Sequence, residues 1–80
     1  MLDYTRKFQI SQEREQEIRE IMNAVHTALQ EKGYNPVNQI VGYLLSDDPT
    51  YITNHNNARG LIRRIDRNEL LQAVVQDYLS

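Results

Sequence analysis

The clearest structural signal in the chain lies in residues 11–36, which read SQEREQEIREIMNAVHTALQEKGYNP. Ser11 is a favourable helix N-cap, and glutamates follow in the first turn, where the helix dipole favours negative charge. Gly33 is a typical left-handed stop at the other end. Between these ends, apolar residues recur at the spacing of one helix face, namely Ile18, Ile21, Met22, Val25, Ala28 and Leu29. This stretch therefore predicts a long amphipathic helix over Gln12–Lys32.

A second helix is predicted directly after this stop. Asn35 caps it, and Pro36 occupies its first position, where a proline is well tolerated. One apolar stripe runs along it and ends before Asp47-Asp48-Pro49, an acidic pair that capping and turn formation explain. The stripe consists of Val37, Ile40, Val41, Leu44 and Leu45. Because the connection is only a few residues long, we expect the two helices to pack as an antiparallel hairpin.

Two further apolar stripes follow a polar, turn-prone segment at residues 53–57. The third stripe comprises Ala58, Leu61, Ile62 and Ile65, and the fourth comprises Leu70, Leu71, Val74, Val75, Tyr78 and Leu79. Asp66 and Glu69 form a capping-box variant that starts the last helix. The body shows no convincing period-two alternation, so we predict an all-α fold, a compact bundle of about four helices.

The first ten residues, MLDYTRKFQI, carry no helical pattern. We predict that residues 1–10 form a flexible N-terminal tail that orders against a partner, and that residues 11–80 form a single helical domain. A chain of 80 residues buries a limited core, and this one carries several apolar stripes, so a partner surface would add to its stability. We therefore also predict a homodimer.

Composition excludes several classes of protein. The chain has no cysteine, which excludes a disulfide scaffold, a Cys-ligated metal site and thiol chemistry. It has no apolar run of membrane-spanning length and no signal-peptide stretch, so we expect a cytoplasmic protein without membrane insertion. Nine lysines and arginines against eleven acidic residues give a net charge of −2, which is not the footprint of a general nucleic-acid binder.

Enzymatic chemistry has little support in the sequence. His26 lies beside Val25 in the first predicted helix, and His55 lies in the polar segment. Their spacing matches no metal-binding motif, and the sequence contains no phosphate-binding loop or nucleophile elbow. We interpret His26 as structural or surface-exposed and His55 as part of a solvated loop. We expect no catalysis, no cofactor and no metal.

The charge distribution is more informative. Four arginines fall within nine residues, namely Arg59, Arg63, Arg64 and Arg67. Only Asp66 offsets them, so residues 59–67 carry a local charge of +3, whereas five glutamates and two arginines give residues 11–31 a charge of −3. Arg59 and Arg63 share a helix face, and Arg67 extends the row if the helix continues. Three interpretations are open: a solvated face paired with the acidic helix, an anion site for phosphate or a partner, and a nucleic-acid surface.

The tail contains one residue that a kinase can reach. Thr5 precedes Arg6-Lys7-Phe8 in a segment with no predicted folded role. Phosphorylation there would add about −1.5 to −2 charge. The sequence of the tail therefore makes Thr5 a candidate phosphorylation site.

A longer pattern adds a family resemblance. The run Glu31–Ile52, EKGYNPVNQIVGYLLSDDPTYI, resembles the signature of the IreB family, small proteins of low-GC Gram-positive bacteria. The resemblance continues through His55–Ile65 and through the end of the chain, from Glu69-Leu70-Leu71 to Tyr78-Leu79. It covers most of the chain, and its central run is long enough to be specific.

The resemblance implies a cytosolic, homodimeric helical regulator with no known enzymatic activity. It also implies that a transmembrane Ser/Thr kinase that senses the cell wall phosphorylates the protein, and that a cognate phosphatase reverses the mark. Thr5, ahead of Arg6-Lys7-Phe8, matches the family's phosphoacceptor position in the tail. A second acceptor position three residues earlier falls on Leu2, so Thr5 alone is expected to carry the mark.

Two functional hypotheses follow. The first is a non-enzymatic regulatory protein that tail phosphorylation controls, in cell-wall stress or antibiotic-tolerance signalling, with an unidentified downstream protein. The alternative is a small nucleic-acid-binding helical module that uses the arginine-rich helix. The negative total charge counts against the alternative, and salt-dependent DNA binding would discriminate between the two.

Overall fold

The computed structural model describes residues 10–80, and every regular element in that range is helical. The elements are α1 (Gln12–Glu31), α2 (Pro36–Ser46), two 3-10 turns (Pro49–Tyr51 and His55–Asn57), α3 (Ala58–Ile62) and α4 (Arg67–Leu79). The predicted all-α fold with four helices is therefore confirmed. The predicted tail lies almost entirely outside the described residues.

Helix α1 begins at the predicted residue and ends at Glu31, one residue before the predicted end, with Lys32 as its C-cap. The Ser11 side chain accepts a hydrogen bond from the Arg14 backbone N–H at 3.1 Å. At the other end, the Tyr34 N–H donates to the Leu29 carbonyl and the Gly33 N–H to the Gln30 carbonyl, at 2.9 and 3.0 Å. This pair of bonds is a Schellman motif, and Gly33 adopts its left-handed conformation at φ +82°.

Two side-chain caps and one left-handed residue shape the middle of the chain. Asn35 caps α2 by accepting from the Asn38 N–H, and Asp47 ends the helix in the left-handed region at φ 58°. Asp48 then caps the first 3-10 turn by accepting from both the N–H and the hydroxyl of Thr50. The acidic pair 47–48 thus serves turn formation, as predicted.

The last two helices are separate elements. Asn56 and Asn57 both have positive φ, at 52° and 60°, and lead into the short helix α3. The helix ends at Ile62, and α4 starts at Arg67 after a four-residue connection, with Asp66 accepting from the Asn68 N–H at 2.8 Å. The arginines of residues 59–67 therefore do not lie on one continuous helix.

The core forms around α1, which contacts each of the other helices. The residues buried in it are Ile18, Ile21, Val25, Ala28, Leu29, Tyr43, Ile52, Ala58, Ile62, Ile65, Leu70 and Ala73. The stripe predicted on α1 is buried, with Met22 partly buried at its edge. The stripes predicted on α2 and α4 are buried only in part: Leu70 is 1% exposed, whereas Leu45 is 81% exposed and Tyr78 is 86% exposed. Within residues 10–80, no helix combines the length and the apolar character needed to cross a bilayer.

Candidate functional site

The four predicted arginines separate into three environments. Arg59 is bound into the fold, because its Nε donates to the Ile52 carbonyl at 2.9 Å and its backbone N–H donates to the Thr53 carbonyl at 3.1 Å. These bonds attach the start of α3 to the segment that follows the first 3-10 turn. The guanidinium of Arg59 therefore has a structural partner already.

Arg64 belongs to an ion-pair network with the acidic first helix. Its Nη2 lies 3.3 Å from the Glu17 carboxylate on α1. Arg14 holds the network together: its guanidinium donates two bonds to Glu69 at 2.8 and 2.9 Å, one to Glu17 at 2.9 Å, and one to the Arg64 carbonyl at 3.0 Å. Among the described residues, the arginine cluster thus pairs with the acidic helix through Arg64 alone.

The network changes the ionisation of its members. The hydrogen bonds from Arg14 hold the pKa of the Glu69 carboxyl below its ordinary value, although partial burial opposes this effect. The same bonds raise the pKa of the Arg14 guanidinium. Both groups are therefore charged near neutral pH, and they join the N-terminal turns of α1 and α4.

Arg63 and Arg67 line a groove of about 470 Å³ beside the start of α4. Its lining consists of Tyr43, Asp47, Pro49, Arg63, Ile65, Asp66, Arg67 and Asn68. Arg67 donates to the Leu44 carbonyl at 3.2 Å, and its Nε lies 4.0 Å from Asp47. The backbone N–H of Arg63 donates to the Arg59 carbonyl at 3.3 Å, but its guanidinium has no hydrogen-bond or ion-pair partner within residues 10–80, and the residue is exposed. We call this feature the α4 groove.

Tyr43 and Ile65 are the buried lining residues of the α4 groove, and Tyr43 is the one with a polar group. The residue is 5% exposed, and within the described part of the chain its hydroxyl has no hydrogen-bond partner. Burial raises the pKa of this phenol, as does the charge of Asp47, whereas the charges of Arg67 and Arg63 lower it. All of these charged neighbours line the groove, so the hydroxyl faces it. Sequence reasoning missed Tyr43, although its spacing from Ile40 places both on one helix face.

The tail joins the fold close to these charges. Thr5, the predicted phosphoacceptor, lies outside the described residues. Ile10, the first described residue, is partly buried against the core. Arg14, one turn into α1, contacts the Arg64 carbonyl at the turn between α3 and α4. The chain therefore enters α1 beside the turn that also presents Arg63 to the α4 groove.

The two histidines lie apart from these arginines. His26 is exposed on α1, as expected for a surface residue. His55 contacts another part of the fold. Its Nε2 lies 2.8 Å from the Glu31 carboxylate, and the Asn56 side-chain nitrogen lies 3.4 Å from the same oxygen. Among the described residues, no three His, Cys, Asp or Glu side chains come together as a metal site.

Two apolar faces remain exposed on the described surface. One lies on α2 and comprises Val37, Val41 and Leu45; the other lies on α4 and comprises Leu71, Val74, Val75, Tyr78 and Leu79. A groove between α1 and α4 adjoins the second face, with buried Leu70 and Ala73 among its lining residues. Exposed apolar patches of this kind are typical of protein–protein contact sites.

Helical packing around α1, a charged groove and uncovered apolar faces define a small helical protein suited to binding other molecules. The chain belongs to the IreB regulatory phosphoprotein family, whose profile matches residues 3–80. It is similar to the UPF0297 protein of Ruminiclostridium cellulolyticum, at 55% identity over 79 residues, covering 99% of this chain and 90% of that relative. The family resemblance of the Glu31–Ile52 run is thus confirmed.

Proposed function

We propose that this protein is a non-enzymatic cytoplasmic regulator whose activity changes when a Ser/Thr kinase phosphorylates Thr5. A cognate phosphatase reverses the mark. The protein acts as a homodimer on an unidentified downstream protein, in cell-wall stress or antibiotic-tolerance signalling. Each of these statements extends the family's coarser description as regulatory phosphoproteins.

The family match carries the proposal. It spans residues 3–80 and so includes the tail threonine together with the helical body. A kinase binds its acceptor in an extended conformation, and Thr5 precedes the capped start of α1 at Ser11. The other threonines lie within the body, where Thr27 is in the middle of α1 and Thr50 donates its hydroxyl to Asp48 at 2.7 Å. Thr5 is therefore the acceptor that needs no unfolding of the body.

The exposed faces support a binding role. The apolar faces of α2 and α4 offer area for a second copy and for a downstream protein. The nucleic-acid alternative has weaker support, because Arg59 and Arg64 are engaged within the fold. Two of the four arginines are thus withdrawn from the basic surface that the alternative requires.

A kinase assay tests the proposal. The full-length protein is incubated with ATP and the cytosolic catalytic domain of a transmembrane Ser/Thr kinase, and the products are mapped by mass spectrometry. We expect one phosphate per chain, on Thr5, and none on a Thr5→Ala variant. Thr27→Ala is the matched control, because it removes an exposed threonine from a folded helix and should leave the phosphate count unchanged.

Two results would contradict the assignment. One is a wild-type chain that stays unmodified with the kinase of its own cell. The other is a Thr5→Ala chain that takes up as much phosphate as the wild type. A pull-down with unmodified and Thr5-phosphorylated protein then identifies the downstream partner, which should be retained by one form only.

A further inference from the structure

The α4 groove contains donors that the described residues do not fully engage. The Arg63 guanidinium has no ion-pair partner in residues 10–80, and the Tyr43 hydroxyl, which reaches solvent at the groove, makes no hydrogen bond there. Arg67 donates one bond to the Leu44 carbonyl at 3.2 Å, and its Nε lies 4.0 Å from Asp47. Guanidinium and phenol groups both donate hydrogen bonds to phosphate oxygens. The groove therefore presents several donors to a ligand that carries acceptor oxygens.

We infer that the α4 groove binds the phosphate of phosphorylated Thr5 through Arg63, Arg67 and the Tyr43 hydroxyl. This inference rests on the proposed function, because it supplies the conformational consequence of that phosphorylation. The occupant is the tail of this chain, whose threonine becomes a phosphate monoester. Arginine forks match phosphate oxygens in a bidentate geometry, and a phenol donates one further bond.

The length of the tail permits this contact. Five residues lie between Thr5 and Ser11, and the six extended steps from one to the other span about 20 Å. The turn that carries Arg63 lies beside the first turn of α1, as the bond from Arg14 to the Arg64 carbonyl shows. A tail that leaves α1 there can return along this turn to the groove without any change in the helices.

The charges of the groove make the contact dependent on phosphorylation. Arg63 and Arg67 are balanced by Asp47 and Asp66, so the lining carries no net formal charge. The Asp66 carboxylate is engaged in capping α4, where it accepts from the Asn68 N–H. An unmodified tail, with a charge of about +1, gains little from such a surface. A phosphate gains the unpaired guanidinium of Arg63 and draws Arg67 away from Asp47.

The test uses protein in which phosphothreonine is incorporated at position 5 by genetic code expansion. This route avoids any kinase, so it does not depend on the proposed function. Phosphorus NMR then follows the titration of the single phosphate in the full-length chain. Arginine contacts favour the dianion, so we expect its second pKa to lie about one pH unit below that of the same phosphate in a synthetic peptide of residues 1–10.

Three variants assign the contact. Arg63→Gln should restore the peptide's titration, and Tyr43→Phe should restore part of it while keeping the buried ring. Arg64→Gln is the matched control, because it removes the same charge from the next residue, whose partner is Glu17. It should leave the lowered pKa in place. Circular dichroism checks that all variants keep the helical content of the wild type.

Either of two outcomes overturns the inference. The first is a wild-type phosphate that titrates like the peptide. The second is an equal effect of Arg64→Gln and Arg63→Gln, which would mean general electrostatic attraction and not a site. If instead the kinase assay fails while the phosphate titration succeeds, the proposed function falls and the groove remains a phosphate site.

Discussion

At Gly33, substitution is opposed by the backbone conformation and not by steric contacts. A Cβ built on Gly33 meets no atom within 4 Å, so its φ of +82° alone resists substitution. We expect Gly33→Val to lower the free energy of unfolding by about 1 kcal/mol or more, because a β-branched residue disfavours positive φ. Thermal melts of the variant measure the loss. Gly33→Asn is the control and should cost less, since asparagine tolerates this conformation.

At Gly42, substitution is opposed by a steric conflict and not by the backbone conformation. Gly42 lies within α2, and a Cβ there would lie 2.5 Å from two ring carbons of Tyr51 in the first 3-10 turn. We expect Gly42→Ala to destabilise the protein by about 1–3 kcal/mol through overpacking, although alanine is the better helix former. The effect should shrink when Tyr51→Ala removes the ring. Additive losses in this double-mutant cycle, measured by chemical denaturation, would show that the ring is not the cause.

At the scale of elements, the bond between Arg14 and Glu69 joins α1 to α4 and makes stability depend on pH. The folded state holds the pKa of Glu69 below its ordinary value. The pair therefore stabilises the fold above the unfolded pKa of about 4.3, and this stabilisation is lost as the pH falls through the lower folded pKa. Acid weakens the attachment of α4 before it affects the apolar core.

This linkage predicts the behaviour of Glu69→Gln. We expect the free energy of unfolding of the variant to be about 1 kcal/mol lower than that of the wild type at pH 7, because a charged hydrogen-bonded pair is lost. The difference should narrow below about pH 4, where the wild-type carboxyl is itself being protonated. Urea unfolding across this pH range provides the measurement. Glu20→Gln, an exposed change on α1 at a carboxylate with no ion pair among the described residues, is the control and should cost less at pH 7.

Local chemistry explains which elements could be predicted from the sequence. Ser11, Asn35 and Asp66 act on the backbone within a few residues, so they specify helix starts without knowledge of the fold. The partner of each arginine side chain could not be predicted in this way. Arg59 and Arg64 find their partners, Ile52 and Glu17, through the packing of elements distant in sequence, and no local pattern encodes that packing.

The candidate site could also be predicted only in part. Clustered charge pointed to Arg63 and Arg67, because composition is visible without structure. Tyr43 was not found, since the apolar stripe of α2 drew attention to Val41 and Leu45, which the structure leaves exposed. Only the packing of α2 shows that its buried face runs through Ile40, Tyr43 and Leu44. The Thr5 assignment remains a prediction from the tail and the family resemblance.

At the scale of the whole molecule, the exposed apolar faces of α2 and α4 predict a homodimer. Ten large apolar side chains are exposed among the described residues, which is more than isolated surface positions require. Sedimentation equilibrium at micromolar concentration should give twice the chain mass, and the melting temperature should rise with protein concentration. A 9.4 kDa species with a concentration-independent melt would argue against dimerisation.

Charge substitutions locate the contact between copies. Val75→Lys on α4 and Leu45→Lys on α2 each place a lysine in one of the two apolar faces. We expect at least one of them to shift the protein towards monomer while its helical content stays constant. Gln76→Lys adds the same charge at an exposed polar position of α4 and should leave the assembly unchanged. Equal behaviour of all three variants would place the dimer contact elsewhere.

The burial of Tyr43 also makes this residue an intrinsic spectroscopic probe. The chain has no tryptophan, so its near-ultraviolet absorption comes mainly from its five tyrosines. Tyr34, Tyr51 and Tyr78 are exposed, whereas Tyr43 is buried in the hydrophobic core and also lines the α4 groove. A fixed aromatic ring produces near-ultraviolet circular dichroism, and a freely rotating one averages it away. This spectrum therefore reports groove occupancy in the unlabelled native protein.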